Sequence, residues 1–123
     1  MILADTSIWI DHLRSGDALL TVLLDRDEVA MHPFIIGEVV LGHLRQRDLL
    51  VRQLHRLPTV SVARHNEVLR LIDSERLFGL GLGYVDVHLL AAARLTSDIS
   101  LWTRDKRLAA AAERLSLGAR LIH

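Results

Sequence analysis

Short apolar runs that stop at a carboxylate constrain this fold most strongly. The chain begins "MILADTSIWIDHLR": three apolar residues and an alanine, then Asp5, then a stretch patterned as a helix. "ISLWT" repeats the arrangement near the end of the chain, with Asp105 opening the helical "RDKRLAAAAERLSLG". Buried strands that alternate with helices argue for an α/β fold with a mainly parallel sheet. In such a sheet, ligands bind outside the carboxyl ends of the strands. Asp5 and Asp105 fall at those ends.

The remaining segments fit the alternation. Strands are expected at "MILA", "EVAMHP", "TVSVA", "ISLWT" and a short final "ARLIH". Helices are expected at "TSIWIDHLR", at "ALLTVLLD" with Asp17 as N-cap, and at "FIIGEVVLGHL". "QRDLLVRQLHRL" predicts an amphipathic helix with Leu49, Leu50, Leu54 and Leu57 as its apolar stripe, stopped by Pro58. "RHNEVLRLIDSERLFG" predicts a helix closed by Gly79. "GLGLGY" is a loop, "VDVHLLAAARLT" an alanine-rich helix suited to close packing on a sheet, and Gly118 a stop for the last helix. Trp9, Ile10 and Leu13 are expected in the core. The 123 residues suit one domain, 1–123, with ample apolar material at 50%.

Charge excludes little, because 15 basic residues balance 15 acidic ones. All the fixed cations but Lys106 are arginine, the side chain best shaped for phosphate and carboxylate. The absence of cysteine removes disulfides, thiolate metal sites and cysteine nucleophiles. No signal peptide or membrane-spanning run is evident, so a soluble cytoplasmic protein is expected.

Asp86 follows the glycine loop and also opens a helix, as Asp5 and Asp105 do. Taken singly, each is better read as an N-cap, which aspartate favours. Glu38 does not fit that reading. It stands inside "FIIGEVVLG", away from any helix start, and a buried unpaired carboxylate is costly. It needs an arginine partner, a solvent-accessible cleft or a metal ion. Converging carboxylates need a counter-charge, which a hard divalent cation such as Mg²⁺ or Mn²⁺ supplies. Such a cation suits phosphodiester hydrolysis.

The stretches "ILADTSIWIDHLR", "HPFIIGEVVLG", "GLGLGYVDVHLLAAA" and "LWTRDKRLAAAAERL" resemble the PIN-domain nucleases, and more closely the VapC-type toxins of type II toxin–antitoxin systems. They stand in the family's order and span nearly the whole chain. The resemblance implies a three-layer α/β/α sandwich with a mainly parallel central sheet. It implies a Mg²⁺-dependent endoribonuclease, with Mn²⁺ able to substitute, that hydrolyses RNA phosphodiester bonds and so inhibits translation and growth. Asp5, Glu38, Asp86 and Asp105 then correspond to the catalytic and metal-holding quartet. Asp5, Asp86 and Asp105 contact the metal and Glu38 completes the cluster, with one or two ions both open. Ser7 and Thr6 stand beside it as supporting hydroxyls. A VapB-type antitoxin, an RNA substrate and a homodimer are the implied partners. Tyr84 stands where relatives often carry tryptophan.

Arg45, Arg47, Arg52 and Arg56 form a basic segment, and Arg104 and Lys106 flank Asp105. Such runs are most often solvated faces. If they border the acidic cleft, Arg45, Arg52, Arg104 and Lys106 are candidates for RNA phosphate contacts. The seven histidines are scattered and none has the HExxH spacing. Receiver domains need an acidic pair after the first strand, and some phosphatases need an aspartate two residues on. Thr6 and Ser7 occupy those places. A non-cleaving PIN-like module that binds RNA or protein is the competing reading.

Overall fold

The computed structural model describes residues 1–121. Three short strands form a parallel sheet: β1 (Ile2–Ala4), β2 (Val29–Ala30) and β3 (Ser100–Trp102), in the order β2-β1-β3. β1 is therefore central, pairing Leu3 with Ala30 on one side and with Leu101 on the other. Leu3 and Ala4 are fully buried. Burial of a leucine-sized side chain contributes about 1.5–3 kcal/mol. The chain leaves β1 toward β2 and later returns to its other side, so the carboxyl end of β1 is a topological switch point. A crevice opens at such a point.

Among the described residues, seven helices complete the α/β sandwich: α1 (Thr6–Ser15), α2 (Ala18–Asp25), α3 (Pro33–Val40), α4 (Arg47–His55), α5 (His65–Ser74), α6 (Tyr84–Leu95) and α7 (Lys106–Arg114). α1 packs on α3, α3 on α4, α5 on α6, and both α6 and α7 on β3. Ala91, Ala92 and Ala93 are buried in α6. Their small side chains let the helix backbone approach the strand. Asp17 caps α2 as expected, accepting from the Leu20 amide at 2.9 Å. No helix among the described residues is long and apolar enough to cross a membrane.

Several expectations fail for local reasons. "TVSVA" forms no strand, only a bridge between Met31 and Thr59. The Ser61 amide turns away to the Thr96 hydroxyl at 2.9 Å instead of extending a ladder. α5 ends five residues before Gly79, where Arg76 takes a left-handed turn with φ 53°. α7 likewise ends before Gly118, at a left-handed Ser116. Gly118 instead bridges to Leu101 at the sheet edge. Residues 119–121 of "ARLIH" are not strand, and its last two, including His123, lie outside the described residues. α3 stops at Val40, short of Gly42. In α4 only Leu54 is buried, and Leu49 is exposed. Trp9 is in the core, but Ile10 and Leu13 are exposed.

His32 is a buried surprise. Its ring is fully enclosed, and Nδ1 accepts from the Phe34 amide at 2.9 Å as the N-cap of α3. Its Nε2 and the His88 Nδ1 have no partner among the described residues. Burial, reinforced by the neighbouring His88, lowers the His32 pKa to about 4. An unfolded histidine titrates near about 6.5. The unfolded chain therefore binds more protons in that window, and the His32 contribution to stability is lost as pH falls from about 6.5 toward 4. Thermal midpoints should drop between neutral pH and about pH 5, and His32→Asn, which keeps a capping oxygen without a titration, should flatten that drop. Parallel profiles for the two proteins would refute the assignment.

Candidate acidic site at the carboxyl ends of the strands

Asp5 sits one residue beyond β1, at the switch point, and is 6% exposed. It does cap α1, since Oδ1 accepts from the Ile8 amide at 3.3 Å. The same oxygen accepts from the Ser7 hydroxyl, and Oδ2 accepts from the Thr103 hydroxyl. Thr103 Oγ1 in turn accepts from the Asp105 amide at 3.0 Å, and Ser7 Oγ accepts from the Arg104 amide at 3.2 Å. Two hydroxyls thus lock Asp5 to the turn that carries Asp105. Ser7 is among the residues expected at the site from the sequence, and Thr103 is not. Its signal was a hydroxyl two residues before an aspartate, a common local turn pattern.

Asp105 caps α7, with Oδ1 accepting from the amides of Arg107 at 2.9 Å and Leu108 at 3.1 Å. Asp86 lies in the first turn of α6, and its Oδ2 accepts from the Gly83 amide at 3.0 Å. Glu38 is exposed rather than buried, so solvent reaches its carboxylate and burial does not oblige it to find a partner. Its Oε1 accepts from the Thr6 hydroxyl at 2.6 Å. It lines an open groove of about 530 Å³ with Ile10, Leu13, Arg14 and Arg45. Each of these three acids uses one oxygen for a structural bond. Among the described residues, Asp105 Oδ2, Asp86 Oδ1 and Glu38 Oε2 accept no protein hydrogen bond.

The four carboxylates share one electrostatic environment. The Asp86 pKa is raised by burial first, and then by the charges of Asp105, Asp5 and Glu38, against the lowering effect of the Gly83 amide. Among the described residues none of the four is in an ion pair. Arg104 is instead held by Asp11 at 2.7 Å and Asp17 at 2.6 Å. Arg52 lines a different depression, across α4 with Arg47 and His55. Arg45 borders the Glu38 groove, and Lys106 is exposed at the start of α7.

An all-oxygen donor set with uncompensated negative charge fits a hard divalent cation. No three acidic or histidine side chains among the described residues are close enough to form a ligand cage by themselves.

Removing the Thr103 hydroxyl should show how far the cluster depends on it. Thr103→Val leaves Asp5 Oδ2 and the Asp105 amide without a partner. It should lower stability by about 1–3 kcal/mol in urea unfolding. A loss within error would mean that Thr103 is not the link.

Residues 2–114 match the family description "PIN domain". The chain is 51% identical over 111 residues to Ribonuclease VapC32 of Mycobacterium tuberculosis, with 90% of each chain covered. The same protein from a second strain of that organism matches equally.

Proposed function

The chain belongs to the PIN-domain family, and on that premise we propose that it is a Mg²⁺-dependent endoribonuclease, the toxin of a type II toxin–antitoxin pair. The observation that carries this reading is the Thr103 hydroxyl link between Asp5 and Asp105 at the carboxyl ends of the strands, with none of Asp5, Glu38, Asp86 and Asp105 in an ion pair among the described residues. The 51% identity to a protein named a ribonuclease supports the substrate class. The same name supports a VapB-type antitoxin as partner. Translation arrest, a cytoplasmic location, a homodimer and a single domain over 1–123 complete the proposal.

Asp5, Asp86 and Asp105 would hold the cation, directly or through water, and Glu38 would complete its shell. When bound, the cation supplies charge stabilisation to the phosphoryl oxygens and makes a water more acidic than bulk water. The Ser7 and Thr103 hydroxyls fix the rotamer of Asp5, so that it need not reorganise during reaction. Thr6 aims Glu38 in the same manner. The second Glu38 oxygen orients the attacking water and takes its proton. The water oxygen bonds to phosphorus as the bond from phosphorus to the 3′ oxygen breaks, and the departing 3′ oxygen takes a proton from solvent water. The products are a 3′-hydroxyl and a 5′-phosphate.

Sequencing fragment ends after incubating RNA with the protein and Mg²⁺ tests the proposal. Cleavage should stop in EDTA and return with Mg²⁺ or Mn²⁺. Asp5→Asn and Asp105→Asn should each lower the rate by about 100-fold. Undiminished cleavage in both variants would remove the site assignment. No cleavage by the native protein would favour a non-cleaving module.

A further inference from the structure

The glycine loop before α6 does more than turn. Gly81 has φ +77°, a left-handed conformation that favours glycine, and a Cβ there would lie 2.6 Å from Nη1 of Arg107 and 3.0 Å from its Cδ and Cζ. The Arg107 side chain therefore lies directly across the bare backbone of residue 81. The two residues it joins each adjoin an acidic segment: Arg107 follows Asp105, the cap of its own helix, by two residues, and Gly83, two residues after Gly81, donates to Asp86. Arg107 is exposed and, like most arginines of the chain, in no ion pair among the described residues. It also occupies the first turn of α7, where the helix dipole disfavours a cation. Neither ion pairing nor helix stability accounts for its position.

We propose that Arg107, laid over Gly81, is a substrate-positioning residue that grips an RNA phosphate next to the scissile one. The proposal rests on the nuclease reading above. A guanidinium presents a planar fork to phosphate oxygens, and its charge at the rim of an acidic cluster offsets the repulsion a polyanion meets there. Gly81 leaves room for the fork, which any side chain at that position would displace.

The test measures steady-state RNA cleavage with Mg²⁺, and binding of a random-sequence single-stranded RNA oligonucleotide in EDTA across salt concentrations. Arg107→Gln should raise KM about tenfold, leave kcat within about twofold, and reduce the salt slope of binding by about 0.7, the value for one phosphate on a single strand. Arg107→Lys should restore the slope. Gly81→Ala should raise KM to a similar extent, and the double variant should be no worse than Arg107→Gln alone. Additive losses would overturn the contact between the two residues. An unchanged KM and slope in Arg107→Gln, with native cleavage intact, would overturn the inference alone. Absence of RNA binding and cleavage by the native protein would overturn the nuclease reading and this inference together. If Gly81→Ala does not fold, as thermal melting would reveal, the two Arg107 variants decide the outcome.

Discussion

The hydrogen bonds around Asp5 join the two halves of the molecule. Its side chain holds the first turn of α1 through the Ile8 amide and the Ser7 hydroxyl, and the Thr103 hydroxyl reaches it from a turn 98 residues later. A buried carboxylate is tolerable only when its oxygens are satisfied. Here the satisfaction comes from groups that also orient Asp105. The strand end, the helix cap and the acidic cluster are therefore one construction, and the capping role of Asp5 does not compete with a role at the site.

Charge placement follows from the same arrangement. Arg104 adjoins Asp105 in sequence, yet its guanidinium is drawn to Asp11 and Asp17 on the α1 and α2 side. The Asp11 pair is half exposed and contributes modestly to stability, while Asp17 is mostly buried. Their consequence is positional, since they withhold a cation from Asp105 and leave the cluster negative. Thr6, Ser7 and Thr103 supply neutral hydrogen-bond donors instead. Such donors orient carboxylates without cancelling their charge. Such an arrangement suits the divalent cation proposed for this cluster.

Much of this was legible from particular residues. Asp17 before "ALLTVLLD" announced its helix, and the alanines of α6 announced close packing. Asp5 and Asp105 marked strand ends because the apolar runs before them were short and sharply bounded. Left-handed turns at Arg76 and Ser116 were not legible, because nothing in an arginine or serine announces positive φ. Gly79 and Gly118 were plausible stops, and the chain had already turned before each. The partial burial of α4 was equally hidden, since four leucines at helical spacing indicate a face but not how much of it another element covers.

Sequence by itself determined the alternation of strand and helix, the order of the acidic segments and the family they resemble. These depend on local periodicity and on residue type, which a chain carries without knowing its neighbours. Tertiary structure alone decided the strand order that makes β1 central, the reach of Thr103 to Asp5, the diversion of Arg104, and the passage of Arg107 over Gly81. Each of these joins residues far apart in the chain or depends on a side-chain direction. Only the packed sheet and its flanking helices bring such groups within a few ångströms.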